Sequence, residues 1–333
     1  MDLLDPERLG AWLDAQGLEA GKPITVEPLA GGTSNAMFRI DRGSGRWVLR
    51  RPAKVAVDRA NEGMRREHRI LDGLGGSDVP HPAVVALCED HHVLGCTFYI
   101  MERVEGVSPF PALARLDDDR RRAEIAFAMV EALARLHQVD WRAAGLGDLG
   151  RPEGFHERQV NRWSRQLASY QGRELPGIDA VMRWLEASRP DDFEPTLMHG
   201  DYHMRNALIA PDPPGRVVAI LDWETATIGD PLLDLAGFCE IWCSAATEGW
   251  PSRQALVERY RAVRGLDGLG NLTYYEVLYH FRLAVLQEGI YQRSLRDPTH
   301  RDQHDSGQRA LANVAQAVEL ASGNVRVRGI QPL

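Results

Sequence analysis

The sequence predicts an α+β fold with two lobes, in which an antiparallel β-sheet forms the N-terminal lobe and helices form most of the C-terminal lobe. Two observations lead to this prediction. Short β-branched or apolar segments bounded by turn residues are frequent between residues 24 and 101, whereas helical spacing of apolar residues dominates after residue 117. A chain of 333 residues also exceeds one ordinary domain, and we expect lobes at residues 1–104 and 105–333.

Composition and charge limit the classes of protein to consider. Hydrophobic residues make up 44% and charged residues 26% of the sequence, which is typical of a globular protein with an ample core. The formal net charge of −8 argues against general nucleic-acid binding. We see no signal-peptide pattern, no stretch that resembles a membrane helix and no secreted disulfide framework. We therefore expect a cytoplasmic protein without a membrane or nucleic-acid partner.

The N-terminal half contains most of the segments with strand character. Asp5 and Pro6 open an amphipathic helix, because aspartate caps the free N–H groups and proline fits the first turn. The other elements follow from hydrophobic spacing and turn residues. We predict strands at 24–29, 36–40, 46–50, 83–88 and 97–101, and a helix at 58–74.

The C-terminal half is mainly helical. Acids at 117–119 favour a helix start, and Asp230 followed by Pro231 begins another helix with Asp230 as its cap. Asp230 and Asp234 therefore have a structural explanation, namely capping and bracing a loop. We predict helices at 117–137, 155–172, 178–188, 252–265, 272–295 and 302–322, and strands at 196–198, 207–210 and 217–221.

Polar side chains stand next to these three short strands. Asp201 follows the first strand, Asn206 precedes the second and Asp222 follows the third. In phosphoryl transfer, one Asp takes the proton of the acceptor hydroxyl, while an Asn and a second Asp hold magnesium on the nucleotide phosphates. The spacing H-x-D-x-x-x-x-N, beginning at His199, matches this order. We therefore predict Asp201 as the base and Asn206 and Asp222 as Mg²⁺ ligands.

Other interpretations of the same residues stay open. His199, Asp201 and His203 alternate, as in some metal hydrolases, but the further ligands such a cluster needs are missing nearby. Asp222 alone is compatible with a turn and Asn206 alone with a cap. His199 is better explained as a structural hydrogen-bonding residue, and the role of His203 is undecided.

Several motifs carry a resemblance to a known family. HGDYHMRN and LDWETATIGDPLLDLA, with GGTSNAMFRI, VLRRP and FYIMERVEG, resemble the aminoglycoside phosphotransferase and choline kinase group. The branch most similar is the one related to the kinase domain fused to some acyl-CoA dehydrogenases. The resemblance covers about residues 29–320 and implies a protein-kinase-like fold with ATP and Mg²⁺ as cofactors. Gly200 replaces the arginine of protein kinases and DWE replaces DFG, which argues against a protein kinase.

The resemblance also implies how phosphates are bound. Arg50 falls where protein kinases have a lysine, and its guanidinium would hold the α- and β-phosphates, while Arg51 points to the opposite face of the strand. Glu67 is the expected partner of Arg50, unless it is only a solvated charge. The predicted turn at Gly32, Thr33 and Ser34 would bring backbone N–H groups near phosphates, although a Gly-Gly hairpin alone is weak evidence.

A hinge is expected at residues 101–106. Adenine would form hydrogen bonds there with the backbone of Glu102 and Val104, whatever their side chains. The choice between ATP and GTP stays open, as does the role of Glu224 beside the predicted magnesium ligand.

The acceptor is expected to be a small molecule with a hydroxyl group. Arginines outnumber acids in the region before the catalytic strands, with two aromatic residues among them: Arg151, Arg158, Arg162, Arg165 and Arg173 against Glu153 and Glu157, with Trp163 and Tyr170. A pocket for a polycationic aminoglycoside should be lined with acids. The balance therefore favours an anionic acceptor, unless the arginines only solvate helix surfaces. The resemblance adds hydroxyacyl-CoA as a specific expectation.

The favoured function is thus an ATP-dependent small-molecule O-phosphotransferase. A non-catalytic nucleotide-binding scaffold on the same fold is the main alternative, and an aminoglycoside-modifying kinase is a weaker one. The oligomeric state is undetermined by the sequence.

Overall fold

The computed structural model describes residues 3–29, 35–53, 58–110, 118–211, 215–245, 250–297 and 302–323. By packing, the chain divides into two compact units. The first comprises Met1–Arg115, Val139–Gly147 and Met204–Thr225, and the second comprises Leu116–Gln138, Asp148–His203 and Ala226–Leu333. The predicted lobe boundary after residue 104 stays a prediction, since these units follow packing and cross the chain several times.

An antiparallel sheet forms the centre of the first unit. In the part of the chain described, it has five strands in the order β1-β2-β3-β5-β4. Their bounds are β1 Ile24–Leu29, β2 Asn35–Arg42, β3 Gly45–Pro52, β4 Val84–Cys88 and β5 Phe98–Glu102. Each neighbouring pair is antiparallel, with Met37 opposite Arg50 and Trp47 opposite Glu102. The predicted antiparallel sheet is confirmed.

Three helices accompany this sheet among the described residues, namely α1 Pro6–Ala15, α2 Asp58–Gly73 and the short α3 His91–Leu94. Asp5 caps α1 as predicted, because its carboxylate accepts hydrogen bonds from the N–H groups of Glu7 and Arg8 at 3.0 and 3.2 Å. Leu9 and Leu13 of α1 are fully buried in a core with strand residues. Burying each leucine contributes about 1.5–3 kcal/mol.

Strand alternation at β3 separates two neighbouring arginines. Arg51 donates hydrogen bonds to the carbonyl oxygens of Leu94 (3.2 Å) and Leu3. Arg50 instead reaches Glu67 on α2. The two side chains lie on opposite faces because the side-chain period of a strand is two residues.

Residues 204–225 pack with the first unit. They contain two 3₁₀ turns and a β-hairpin, namely Met204–Asn206, β7 Ala207–Ile209, β8 Val217–Ile220 and Trp223–Thr225. Val107 and Ile209 exchange two backbone hydrogen bonds of 2.9 Å, and the N–H of Ile220 donates to Pro80. These bonds explain why the hairpin belongs to the first unit.

The second unit is mainly helical, as predicted. Its elements are α4 Asp119–Leu136, α5 Phe155–Ser169, α6 Ile178–Ala187, β6 Thr196–Met198, β9 Thr227–Gly229, α7 Leu232–Ala245, α8 Arg253–Arg264, α9 Thr273–Arg296 and α10 Ser306–Ala321. Strand β9, which pairs antiparallel with β6, was not predicted. Helix α10 begins at Ser306 rather than at residue 302. No helix within the described residues has the length and apolarity needed to cross a membrane.

Candidate active site

Arg50 is the centre of a cluster of charges in the first unit. Its Nε is 2.9 Å from Glu67 Oε2, its Nη2 is 2.7 Å from Asp222 Oδ1, and Glu224 Oε2 lies 4.0 Å away. Arg50 and Glu67 are 8% and 2% exposed. The sequence predicted the Arg50–Glu67 pair, whereas the bond to Asp222 was not foreseen. The proposed phosphate-binding role of these residues stays a prediction.

Burial and charge oppose each other in this cluster. Burial lowers the pKa of Arg50, but the nearby Glu67, Tyr99 and Asp222 outweigh it and leave the pKa above its usual value. Burial raises the pKa of Glu67 to about 7, with Asp222 and Glu224 adding to the rise and Arg50 opposing it. Asp222 and Glu224 are the more exposed acids of the cluster, and carboxylates are the groups that bind a divalent cation such as Mg²⁺.

A strained turn positions the Asp222 carboxylate. Asp222 has a φ of 66°, in the left-handed region that costs a residue other than glycine about 1–2 kcal/mol. The next residue, Trp223, is 2% exposed, and its Nε1–H donates a hydrogen bond of 3.0 Å to Ile220 O. The buried indole anchors the turn directly after β8, and it leaves the Asp222 side chain 38% exposed.

A cavity of about 750 Å³ in the first unit brings together many of the predicted residues. Arg50, Glu102, Val104, Asn206 and Asp222 all line it. Its volume lies within the roughly 300–1,000 Å³ that is usual for small-ligand sites. Sequence reasoning missed its apolar walls, Met37, Tyr99, Met101, Leu208 and Ile220. In the sequence these residues appear only as strand residues, and a strand pattern does not distinguish a residue that lines a ligand cavity from one in the core.

Among the described residues, one predicted nucleotide-binding residue, Glu67, is not part of the cavity lining. It contacts the cavity through Arg50. Gly32, Thr33 and Ser34 lie outside the described residues. The next residue, Asn35, lines the cavity, and its Nδ2 is 3.5 Å from Glu224 Oε2.

The hinge backbone is partly engaged. The N–H of Glu102 donates a hydrogen bond of 2.8 Å to Ala83 O. The N–H of Val104 has no hydrogen bond with the residues that the structure describes. The predicted adenine contacts with the backbone of Glu102 and Val104 stay a prediction.

The residues next to the cavity fit a nucleotide-bound Mg²⁺. Asn206, Asp222 and Glu224 supply oxygen atoms at its edge, and Mg²⁺ commonly takes one or two carboxylates plus substrate phosphates. Over the described ranges, no group of three or more His, Cys, Asp and Glu side chains forms a protein-only metal site. The metal-hydrolase interpretation of His199, Asp201 and His203 therefore lacks its ligand cluster there.

The loop that carries Asp201 belongs to the second unit and is held by a buried carboxylate. Asp234, 4% exposed, accepts the N–H of His199 at 2.6 Å and of Gly200 at 2.9 Å. Gly200 has a φ of 82°, a conformation that favours glycine over arginine at this position. The N–H of Asp201 donates to His199 Nδ1 at 3.3 Å. The Asp201 side chain is 52% exposed on this braced loop.

Buried polar side chains contact the two acids Asp230 and Asp234. His137 lies 3.5 Å from Asp234 and 2.7 Å from the Tyr260 hydroxyl. Burial lowers the pKa of His137, although the hydrogen bond to Asp234 raises it in part. Asp230 accepts hydrogen bonds from the Leu232 N–H and the Tyr275 hydroxyl, which agrees with the predicted cap.

A small cavity of about 80 Å³ opens beside Asp201. One face of α7 and one face of α9 line it, including Leu233, Ile241, Tyr279, Arg282 and Leu283. Sequence reasoning missed the residues from α9, because a helical pattern shows which side is buried but not which site it faces. His203, whose Nε2 is 3.5 Å from Asp201 Oδ1, has no assigned role.

Most of the arginines before the catalytic strands have structural partners. Arg173 is 3.1 Å from the buried Glu288, Arg165 donates to Asn161 at 2.7 Å, and Arg158 donates to two loop carbonyls. Arg162 differs, since its guanidinium carbon lies 5.2 Å from the ring centroid of Trp163.

Comparison with known proteins places this geometry in a family context. The model of the APH phosphotransferase enzyme family matches residues 25–269. Acyl-CoA dehydrogenase family member 10 of Mus musculus is 30% identical over 294 residues, which cover 84% of this chain. The chain spans only 27% of the length of that relative.

Solved structures agree with the family match. The crystal structure of a candidate aminoglycoside phosphotransferase from Ralstonia eutropha has a TM-score of 0.84 and 30% identity, covering 96% of this chain and 98% of that one. The GDP complex of aminoglycoside 2′-phosphotransferase-IIIa has a TM-score of 0.65 at 18% identity, covering 96% of this chain and 100% of that one, and shows the shared fold.

Fold and family thus define an α+β protein of the protein-kinase-like type that acts as a phosphotransferase on hydroxyl groups. The chain belongs to the APH phosphotransferase enzyme family, among the small-molecule kinases. The resemblance inferred from its motifs is confirmed.

Proposed function

We propose that this protein transfers the γ-phosphoryl group of ATP to a hydroxyl group of a small, anionic acceptor. The supporting observation is the buried Arg50, held between Glu67 and Asp222 beside a cavity of about 750 Å³. A guanidinium fixed in this way is oriented before ligand binding, and its planar donors match phosphate oxygens. The carbonyl of Glu102 and the N–H of Val104 are the proposed contacts of the adenine base.

Asn206 and Asp222 are the proposed ligands of Mg²⁺. When bound, the ion neutralises the charge that develops on the transferred phosphoryl group. The roles of the protein are to hold the ion in place with these two side chains and to keep Arg50 oriented toward the α- and β-phosphates. The role of Glu224 stays open.

Asp201 is the proposed base. The acceptor oxygen forms a bond to the γ-phosphorus, the bond from that phosphorus to the β-γ bridging oxygen breaks, and ADP leaves. The hydroxyl proton passes to the Asp201 carboxylate. The braced loop supports this role, because Asp234 fixes the backbone before Asp201 and leaves its side chain half-exposed.

Hydroxyacyl-CoA thioesters are the first acceptors to test. The similar acyl-CoA dehydrogenase family member supports this choice, although the chain spans only a quarter of that protein. Aminoglycosides and neutral alcohols of similar size complete the panel.

Phosphate transfer from γ-labelled ATP tests the proposal. We expect Mg²⁺-dependent turnover of at least one acceptor. Asp201→Asn should reduce turnover by about 10²–10⁴-fold and leave nucleotide affinity within about twofold, because the residue acts on the acceptor proton. Unchanged turnover in Asp201→Asn would contradict the proposed role of Asp201 as the base. Binding of Mg-ATP without transfer to any acceptor, or slow hydrolysis, would support the scaffold alternative.

A further inference from the structure

Two arginines of the second unit share one aromatic neighbour. Arg162 on α5 and Arg282 on α9 have their guanidinium carbons 5.2 and 5.3 Å from the ring centroid of Trp163. Within the described ranges, neither guanidinium forms an ion pair or a hydrogen bond with a protein group. Two positive charges are therefore held next to the same indole without a direct counter-charge.

This arrangement leaves hydrogen-bond donors unsatisfied as well. Arg282 Nε and Trp163 Nε1 are both buried and have no acceptor among the described residues. A buried donor without an acceptor is unfavourable, so the pair calls for an explanation, and a bound ligand is one. An anion would accept from both groups and neutralise the two guanidinium charges.

Asp234 and Asp201, the two acids that raise the pKa of Arg282, do not serve as that anion. Burial lowers the pKa of Arg282, Asp234 raises it, the charge of Arg162 lowers it and Asp201 raises it. Both carboxylate oxygens of Asp234 already accept hydrogen bonds from the loop amides. Asp201 forms no ion pair of 4 Å or less with Arg282.

Arg282 also connects this cluster to the proposed base. Arg282 and Asp201 line the same cavity of about 80 Å³, with Leu233, Ile241 and Leu283 as apolar walls. The Tyr279 ring packs against α7 at Gly237, since a Cβ added to that glycine would lie 3.0 Å from a carbon of the ring. The cavity is smaller than a usual ligand site, so it would hold only the reacting end of an acceptor, with the hydroxyl at Asp201, an apolar segment along the leucines and the next group at the arginine.

We propose that Arg162 and Arg282, with the Nε1–H of Trp163, form an anion subsite that selects acceptors with a carboxylate or phosphate group. The inference rests on the proposed function, because it takes Asp201 as the end of the cavity where the hydroxyl reacts. Arg282 is the main specificity residue, since it lines the cavity. Arg162, which is exposed, adds a second positive charge next to Trp163.

Binding measurements test the subsite without requiring turnover. We propose calorimetry of the full chain saturated with Mg²⁺ and AMP-PNP, with butyl phosphate, butyrate and 1-butanol as probes. We expect an anionic probe to bind and butanol not to bind. Arg282→Met and Arg162→Met should each weaken anion binding by about tenfold or more, because each removes a charged hydrogen-bond donor. Comparing butyl phosphate with butyrate tells which anionic group is preferred.

Arg165→Met is the matched control, since Arg165 lies on the same helix and donates to Asn161. It should bind the anions as the wild type does. No anion binding in the wild type, or equal binding in the wild type and both arginine variants, would overturn the subsite. If Arg282→Met unfolds, the exposed Arg162→Met variant still decides.

Kinetics separates the subsite from the function on which it rests. With an accepted substrate and its neutral analogue, Arg282→Met should raise KM for the anionic acceptor about tenfold and leave kcat/KM for the neutral one within about twofold. A similar fall in kcat for both acceptors would mean that Arg282 only positions Asp201. If the variants lose anion binding but the wild type turns over no acceptor, the proposed kinase activity is contradicted and the anion subsite stands. If the wild type turns over acceptors without preferring anionic ones, the subsite is contradicted and the kinase activity stands.

Discussion

The two units differ in how the arginines next to their proposed sites are paired. In the first, Arg50 lies 2.9 Å from Glu67 and 2.7 Å from Asp222, so its charge is neutralised before any ligand arrives. In the second, Arg162 and Arg282 lie next to Trp163, and neither forms an ion pair with a described residue. A paired arginine is pre-oriented and gains little charge neutralisation from its ligand, whereas an unpaired one gains much. Affinity for the nucleotide should therefore depend on geometry and metal, and affinity for the acceptor on charge.

The largest effect is expected where the first unit loses a carboxylate. Asp222→Ala should lower the affinity for ATP in the presence of Mg²⁺ by about 10²-fold, because it removes a proposed metal ligand and releases Arg50 from one partner. Calorimetry with and without Mg²⁺ measures this, and the variant should show no dependence on the ion. Glu89→Ala, which removes an exposed acid paired with Arg65 in the same unit, is the control. Intact Mg²⁺-dependent binding would contradict the assignment of Asp222.

The comparison of the two units also shows which site residues and which parts of the fold the sequence predicts. Asn206 and Asp222 were predicted from residue type and spacing and Arg50 from the family resemblance; all three line one cavity, and their roles stay predictions. The antiparallel sheet was found from strand patterns and turns. Arg282 was missed because it stands on a helix sixty residues after Asp222, where only packing reveals its neighbours. The count of arginines before the catalytic strands did not separate structural arginines from candidate binding residues. Arg158, Arg165 and Arg173 have structural partners, whereas Arg162 forms no ion pair among the described residues.

A smaller effect is expected from the brace of the catalytic loop. Asp234→Asn should reduce turnover by about tenfold and lower the unfolding free energy by about 1–3 kcal/mol, because an amide N–H₂ would face a backbone N–H and leave a buried donor unsatisfied. Nucleotide affinity should stay unchanged, since the contacts of Arg50 lie in the other unit. Steady-state kinetics and urea unfolding measure both quantities. Asp179→Asn, at an exposed position in the first turn of α6, serves as the control. Equal losses of turnover and nucleotide affinity would argue against a separate role for this loop.

The smallest effect concerns the pH dependence of stability in the second unit. Burial lowers the pKa of His137 in the folded state below the value of about 6.5 that it has when unfolded. Above pH 6.5 the ring is neutral in both states, and as the pH falls below this value the unfolded chain binds the proton first. Stability is therefore lost on acidification, by up to about 1.4 kcal/mol for each pH unit.

His137→Gln should remove this dependence. The difference in unfolding free energy between wild type and variant should be constant from pH 8 to 7 and should shrink from pH 6.5 to 5. Urea unfolding at each pH gives these values, and comparison with the wild type cancels the contribution of other groups, such as His68, whose pKa burial also lowers. His92→Gln, at an exposed position, serves as the control. A difference that does not change with pH would mean that the folded state accepts the proton on His137 as readily as the unfolded chain does.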